Sequence, residues 1–281
     1  MFLRPDSLAD ALNLLADTHA TILAGGTDLF PAFTGSQLNG TVVDISAIAE
    51  LKGIHINPDT VVIGGRTTWS EILAADLPRG FDGLRAAARE IGSVQIQNQA
   101  TVAGNICNAS PAADGVAALI ALDAEVTLSS RSGSRTLALA DFIQGNRKTV
   151  RQPHEILTAI RIARHWDHAA SVFLKLGARR YLVISLVMVA ANLVISGDRR
   201  IERAAICVGS CSPKALRLHE LENSLVDQRA DVPVTKLIRS DYFSQLSPID
   251  DVRATAAYRR DAAETLVRRA LERCVAKGVA R

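Results

Sequence analysis

The stretch "ILAGGTDLF", Ile22 to Phe30, sets a strand-like apolar run against two adjacent glycines, a hydroxyl and a carboxylate. Gly25 and Gly26 give the backbone access to positive φ and free it from side chains. Successive N–H groups in such a turn form a concave nest that accepts an anion, and a pyrophosphate is a natural guest. Thr27 adds a hydroxyl hydrogen bond. A plain tight turn after a strand fits the same residues.

A second glycine-containing loop shifts that balance. "ATVAGNICNASPAAD", Ala100 to Asp114, places a threonine, a glycine and an asparagine before an expected helix. Ser110 as cap and Pro111 at the first position predict that helix over Ser110 to Ala124. Helix N-termini carry free N–H groups and favour anions. Asp114 falls in the first turn, where its carboxylate either accepts from sugar hydroxyls or complements the helix dipole. Two such loops together read as a two-pronged grip on a dinucleotide.

Other chemistries lack their signatures. The chain contains no G-x-G-x-x-G after a strand, no P-loop, no H-E-x-x-H and no G-x-S-x-G. Its four cysteines, Cys107, Cys207, Cys211 and Cys274, form no CxxC and fit neither a zinc site nor an iron–sulfur cluster. Net charge is +3, and the acids interleave with the bases, so nucleic acid is not an expected partner. The densest basic stretch, Arg259 to Arg273, has interleaved acids and reads as a solvated helix face in preference to an anion-binding surface. The longest apolar run, Tyr181 to Ile195, is shorter than the ~20 residues of a membrane helix and reads as buried strand. With no basic-then-apolar leader, a cytoplasmic protein with reduced thiols is expected.

The 281 residues suffice for about two domains. A helix capped at Asp6 or Ser7 carries Leu8, Ala11, Leu12 and Leu15 on one face. Strands are expected at Thr21 to Ala24, Thr41 to Ser46, on both sides of the turn in "GIHINPDTVVIGG", at "EVTLSS" and at Glu155 to Ile162. "TWSEILAADL" and "GLRAAAREI" read as helices, and Gly92 to Gly104 shows no period. Composition changes near Ala163 to Ser171, which suggests domains at 1–168 and 169–281. The second half reads as a small three-stranded antiparallel sheet with helices: Val172 to Gly177, Leu182 to Ile195, a Gly197-Asp198 hairpin, and Ile201 to Val208. A final helix covers about Asp251 to Ala276. The fold class is α+β.

"ILAGGTDLF" together with "TVAGNICNASPAAD" resembles the FAD-binding medium subunit of the xanthine dehydrogenase and carbon monoxide dehydrogenase family of molybdenum hydroxylases. The similarity extends to "RPDSLADALNLLA", "VVDISAIAELKGI" and "SPIDDVRATAAYRRDAAETLVRRAL". The resemblance implies a vanillyl-alcohol-oxidase-type FAD domain of two α/β subdomains and a smaller C-terminal domain. It implies that Ile22, Leu23, Ala24, Gly25, Gly26, Thr27, Asp28 and Leu29 line the FAD pyrophosphate and its surroundings. Thr101, Gly104 and Asn105 take a second side, and Asp114 binds a ribose or ribityl hydroxyl. Leu157, Lys175 and Ile91 match family positions beside the flavin or adenine. Family members work with a small subunit holding two [2Fe-2S] clusters and a large molybdopterin subunit, as a dimer of heterotrimers. Electrons then run from substrate through the clusters and FAD to NAD+, oxygen or another acceptor, and no catalytic or metal-binding residue is expected in this chain.

Two departures from the family pattern stand out. Ala103 replaces the first glycine of the usual T-[IV]-G-G-N, so the residue there either has ordinary dihedrals or the loop is remodelled. Ile91 stands where an aromatic residue can lie against the isoalloxazine, and "GARRYLVIS" replaces an acidic or small-polar segment that often ends in Asp-Ile-Ala. Tyr181 could lie near the flavin or serve as a structural aromatic at a strand start. The other readings are a self-contained flavin oxidase or reductase of the same fold, and a non-catalytic assembly subunit.

Overall fold

The computed structural model describes residues 1–33 and 40–279. The chain forms two compact units, each gathered from separated stretches. The first unit comprises Met1–Ala75, Gly92–Ala109 and Ala124–Ile162. The second comprises Asp76–Ile91, Ser110–Asp123 and the chain from Ala163 onward.

The first unit opens with a parallel three-stranded sheet in which Thr41–Asp44 lies between Phe2–Leu3 and Ala20–Leu23. Parallel strands of one sheet need a crossover, and the helix Leu8–Asp17 supplies the one between the two outer strands, Phe2–Leu3 and Ala20–Leu23. Ser7 caps that helix, its Oγ accepting from the Asp10 N–H at 3.1 Å. Ala11 and Leu15 on its inner face pack with Val43, Ile45, Ile48 and Leu51. A five-stranded sheet follows, in the order Ile54–Ile56, Thr60–Gly64, Ile156–Ala163, Glu125–Ser130, Gly133–Ala138. The Pro58-Asp59 turn joins the first two strands, as the sequence predicts. Gly133–Ala138 was not expected: its mostly exposed side chains give no apolar alternation.

The second unit is built on an antiparallel sheet of Ala170–Leu176, Val187–Ile195, Ile201–Gly209 and Leu216–Arg217. It therefore has four strands where the sequence predicts three. The fourth is two residues long, too short to carry a period. The second strand begins at Val187 and not at Leu182, because Leu182 sits at φ 51° in an irregular segment. The helix Ala256–Val279 packs on Ala170–Leu176 and Val187–Ile195 through Ala263, Val267, Ala270 and Leu271. It starts five residues later than expected, because the Asp251 carboxylate accepts from the Arg253 and Ala254 N–H groups and holds a turn there.

Two stretches from the first half of the sequence complete this unit. The helix Asp82–Glu90 packs on Ala170–Leu176, and Gly83 comes so close that an added Cβ would lie 2.6 Å from Ser171 Oγ. The helix Asp114–Ile120 packs on Val187–Ile195, where buried Asn192 donates to the Ala121 carbonyl at 2.7 Å. The chain thus passes from one unit to the other five times, after Ala75, Ile91, Ala109, Asp123 and Ile162. Among the described residues, no helix is long and apolar enough to cross a membrane.

Candidate functional site

In the first unit the parallel strand Ala20–Leu23 delivers the glycine loop. Ile22 pairs with Val43 and Leu23 with Asp44, and the pairing stops there. Leu23 is buried, Ile22, Ala24, Gly25, Gly26, Thr27 and Leu29 are half-buried, and Asp28 is exposed. The two glycines serve different needs. Gly26 has φ +72°, a left-handed conformation that side chains resist, and the Phe30 N–H closes the turn on its carbonyl at 3.1 Å. Gly25 is required by crowding: a Cβ there would lie 2.0 Å from the Gln99 carbonyl oxygen. The glycine loop is therefore pressed against the end of the helix Val94–Gln99, directly before Thr101.

The segment expected to lack a period is two short helices, Val94–Gln99 and Val102–Asn108. Thr101 is the N-cap of the second, and its Oγ1 accepts from the Gly104 N–H at 2.9 Å. The Asn105 N–H donates to the Thr101 carbonyl at 3.0 Å. Ala103 is buried in the first turn at ordinary helical dihedrals, so the missing glycine has no conformational consequence. Asn105 Oδ1 is buried and has no hydrogen-bond partner among the described residues. An unpaired buried acceptor costs about 1–3 kcal/mol, and a ligand donor would remove that cost. Thr101→Val keeps the side-chain shape and deletes the cap. It should lower stability by about 1 kcal/mol, read as a lower midpoint in urea with an unchanged slope.

Backbone contacts tie Leu157 to this region. Leu157 is buried in Ile156–Ala163, with its carbonyl 2.3 Å from where a Gly65 Cβ would stand. Gly65 N–H donates to Thr158, and two residues on the Thr67 carbonyl accepts from Val102 N–H. Thr68 and Thr101 then form an isolated bridge.

In the second unit the structure joins two residues that the sequence reading named separately. Asp114 is the first residue of Asp114–Ile120, since Ser110–Ala113 forms a turn in place of the expected earlier start at Ser110. Its Oδ2 accepts from Lys175 Nζ at 2.6 Å, and its Oδ1 accepts from Ser185 Oγ at 2.5 Å. The Lys175 and Asp114 side chains are 7% and 6% exposed, so this pair is shielded from solvent. Burial pushes the Asp114 carboxyl above its usual range, while Lys175 and Ser185 pull it back. Lys175 Nζ also lies 3.4 Å from the Glu90 carbonyl, next to half-buried Ile91. Ser185 is the polar residue that sequence reading missed. It lies 71 residues from Asp114 and belongs to no motif.

No group of His, Cys, Asp and Glu among the described residues could hold a metal ion. Burial raises the Cys107 thiol to about 11 and the Cys211 and Cys274 thiols to about 12, which leaves them poor nucleophiles.

Comparison with known proteins agrees with these elements. Residues 1–164 match the family described as "FAD binding domain in molybdopterin dehydrogenase", and residues 173–274 match "CO dehydrogenase flavoprotein C-terminal domain". The chain is 32% identical to the glyceraldehyde dehydrogenase medium chain of Sulfolobus acidocaldarius, covering 96% of each protein. It is 30% identical to a xanthine dehydrogenase FAD-binding subunit of Escherichia coli, covering 97% of this chain and 95% of the relative. A chain in the crystal structure of the cyanide-inactivated Cu,Mo-CO dehydrogenase superposes with TM-score 0.91 at 31% identity, over 98% of this chain and 97% of that one. With both halves matched and both glycine loops in place, the chain belongs to the FAD-binding medium subunits of the xanthine dehydrogenase and CO dehydrogenase family of molybdenum hydroxylases.

Proposed function

We propose that this chain is the electron-transfer flavoprotein subunit of a molybdenum hydroxylase, standing between a [2Fe-2S] partner subunit and an external acceptor. The observation that carries the reading is the first unit's cradle: Gly25 pressed against Gln99, Gly26 held at a left-handed φ, and the orphaned Asn105 Oδ1 in the neighbouring helix. The residues present fit FAD on that ground.

When bound, FAD supplies an electron carrier that can receive from iron–sulfur clusters and deliver to NAD+, oxygen or another acceptor. The chain's own residues bind and orient it. The backbone of Ile22 to Leu29 offers N–H groups free of bulky side chains to the pyrophosphate, and Thr27 adds a hydroxyl. Thr101 and Gly104 hold the helix that carries Asn105, whose free acceptor takes a ligand donor. Leu157 and Ile91 offer apolar contact to the ring systems. Asp114 and Lys175 hold each other in fixed positions, with the carboxylate as hydroxyl acceptor and the ammonium as a fixed positive charge. We give none of the described residues the role of acid, base or nucleophile in hydroxylation, which we assign to a large molybdopterin subunit in a dimer of heterotrimers.

Flavin analysis of the chain purified with its partner subunits tests this reading. One FAD per chain, released on denaturation, is the expected result. FMN in its place, or a folded complex without flavin, would sink the proposal.

A further inference from the structure

We propose that the second unit binds a small polyphosphate anion, free or as part of a nucleotide, in a cleft lined entirely by its own residues. The cleft encloses about 490 Å³ between the helix Asp82–Glu90, the strand Ala170–Leu176 and the helix Ala256–Val279. Small-molecule sites typically span ~300–1,000 Å³, so the space suits a compact ligand. Its charged lining is Arg89, Lys175, Arg180, Arg269 and Arg273 against the single carboxylate Glu90.

Pairing removes only part of that positive charge. Lys175 is neutralised by Asp114, and Arg180 lies 3.2 Å from Glu90. Along the helix Ala256–Val279, Arg259 is held by Asp251 and Arg268 by Glu264. Arg269 and Arg273 are exposed and form no ion pair among the described residues. Glu272, between them in sequence, does not line the cleft. The interleaved acids that made this helix read as a solvated face are thus spent on other arginines or turned away.

The spacing selects the ligand class. Residues four apart stand one above the other on a helix, with Cβ atoms roughly 5–6 Å apart. Two guanidinium groups on that spacing repel each other unless an anion lies between them, and each presents a planar fork that matches a phosphate bidentately. Two linked phosphates satisfy both forks at once. Phe173 and Leu266 give the same cleft an apolar wall against which a base can lie.

Calorimetric titration of the full-length chain with pyrophosphate and with ADP, at fixed ionic strength, tests the proposal. It does not depend on flavin retention, so its failure is separable from failure of the flavin reading. Saturable one-site binding is expected, weakened at least tenfold in Arg269→Gln/Arg273→Gln, with thermal midpoint and flavin content unchanged. Lys236→Gln, which removes one exposed charge elsewhere, should leave affinity as it was. Tighter binding of ADP than of pyrophosphate identifies a nucleotide, and the reverse identifies an inorganic anion. No saturable binding to the unmutated chain overturns the proposal, as does equal affinity in the double variant. Loss of flavin from a folded double variant also overturns it, because the arginines would then serve the cofactor. Should the glutamine variant fold poorly, Arg269→Lys/Arg273→Lys keeps the charge and loses the forks, and unchanged affinity in it refutes bidentate recognition.

Discussion

Gly25→Ala is expected to strip the chain of FAD and to lower its stability by about 1–3 kcal/mol, the usual cost of forcing an extra methyl into a packed site. The added Cβ would stand 2.0 Å from the Gln99 carbonyl oxygen and 2.7 Å from its carbon. Both are backbone atoms at the end of a helix, so no side-chain rotation relieves the clash. The glycine loop must retreat from the segment that leads into Thr101. Flavin content should fall at least tenfold, measured by absorbance after desalting, and the urea midpoint should fall with it. Gly26→Ala provides a graded comparison. There the obstacle is the Phe30 ring, which can swing, plus a left-handed φ that costs roughly 1–2 kcal/mol. Full FAD retention by Gly25→Ala would show that the two loops need not touch for the cofactor to be held.

Lys175→Met should be more damaging to stability than any surface ion-pair deletion. It strands the Asp114 carboxylate with only Ser185 as donor, at 6% exposure. Removing one partner of a buried pair costs about 3–5 kcal/mol, because the other charge stays buried and uncompensated. Adding Asp114→Leu to Lys175→Met should recover most of the loss, since the stranded charge goes with it. The pH dependence has a definite sign. Burial raises the folded-state Asp114 pKa, and without Lys175 it rises further. A folded state with the higher pKa takes up the proton, so the stability deficit shrinks as pH falls and grows as pH rises through that pKa. Denaturant midpoints of Lys175→Met should therefore climb on acidification relative to the unmutated chain. A deficit independent of pH would mean that Asp114 carries no charge in the variant.

The parts of this architecture written in local patterns were legible in sequence. Adjacent glycines after an apolar run marked the turn at Gly25 and Gly26, and the crossover helix announced itself through Ser7 and the Leu8, Ala11, Leu15 face. The helix Val102–Asn108 was not legible. Gly104, Asn105 and Asn108 are poor helix formers, and the helix exists because Thr101 caps it and Val102, Ala103 and Ile106 are buried. Leu216–Arg217 escaped for want of length. The Lys175–Asp114–Ser185 cluster could not be read as a cluster, since it joins residues 61 and 71 positions apart across separate elements. The assignment of Asp76–Ile91 and Ser110–Asp123 to the second unit was hidden for the same reason. A linear cut near residue 168 follows composition, whereas packing follows whichever apolar face finds cover.

The five passages between units also constrain how the protein is made. By the time the ribosome has released the last strand of the first unit, Ile156–Ala163, it has already released two helices that belong to the second. Phe81, Leu84, Val116 and Leu119 then emerge with no sheet to cover them, because Ala170–Leu176 and Val187–Ile195 have yet to be synthesised. The nascent chain therefore carries exposed apolar helices through much of its synthesis. A gene split at the apparent border would part those two helices from the sheet that covers them.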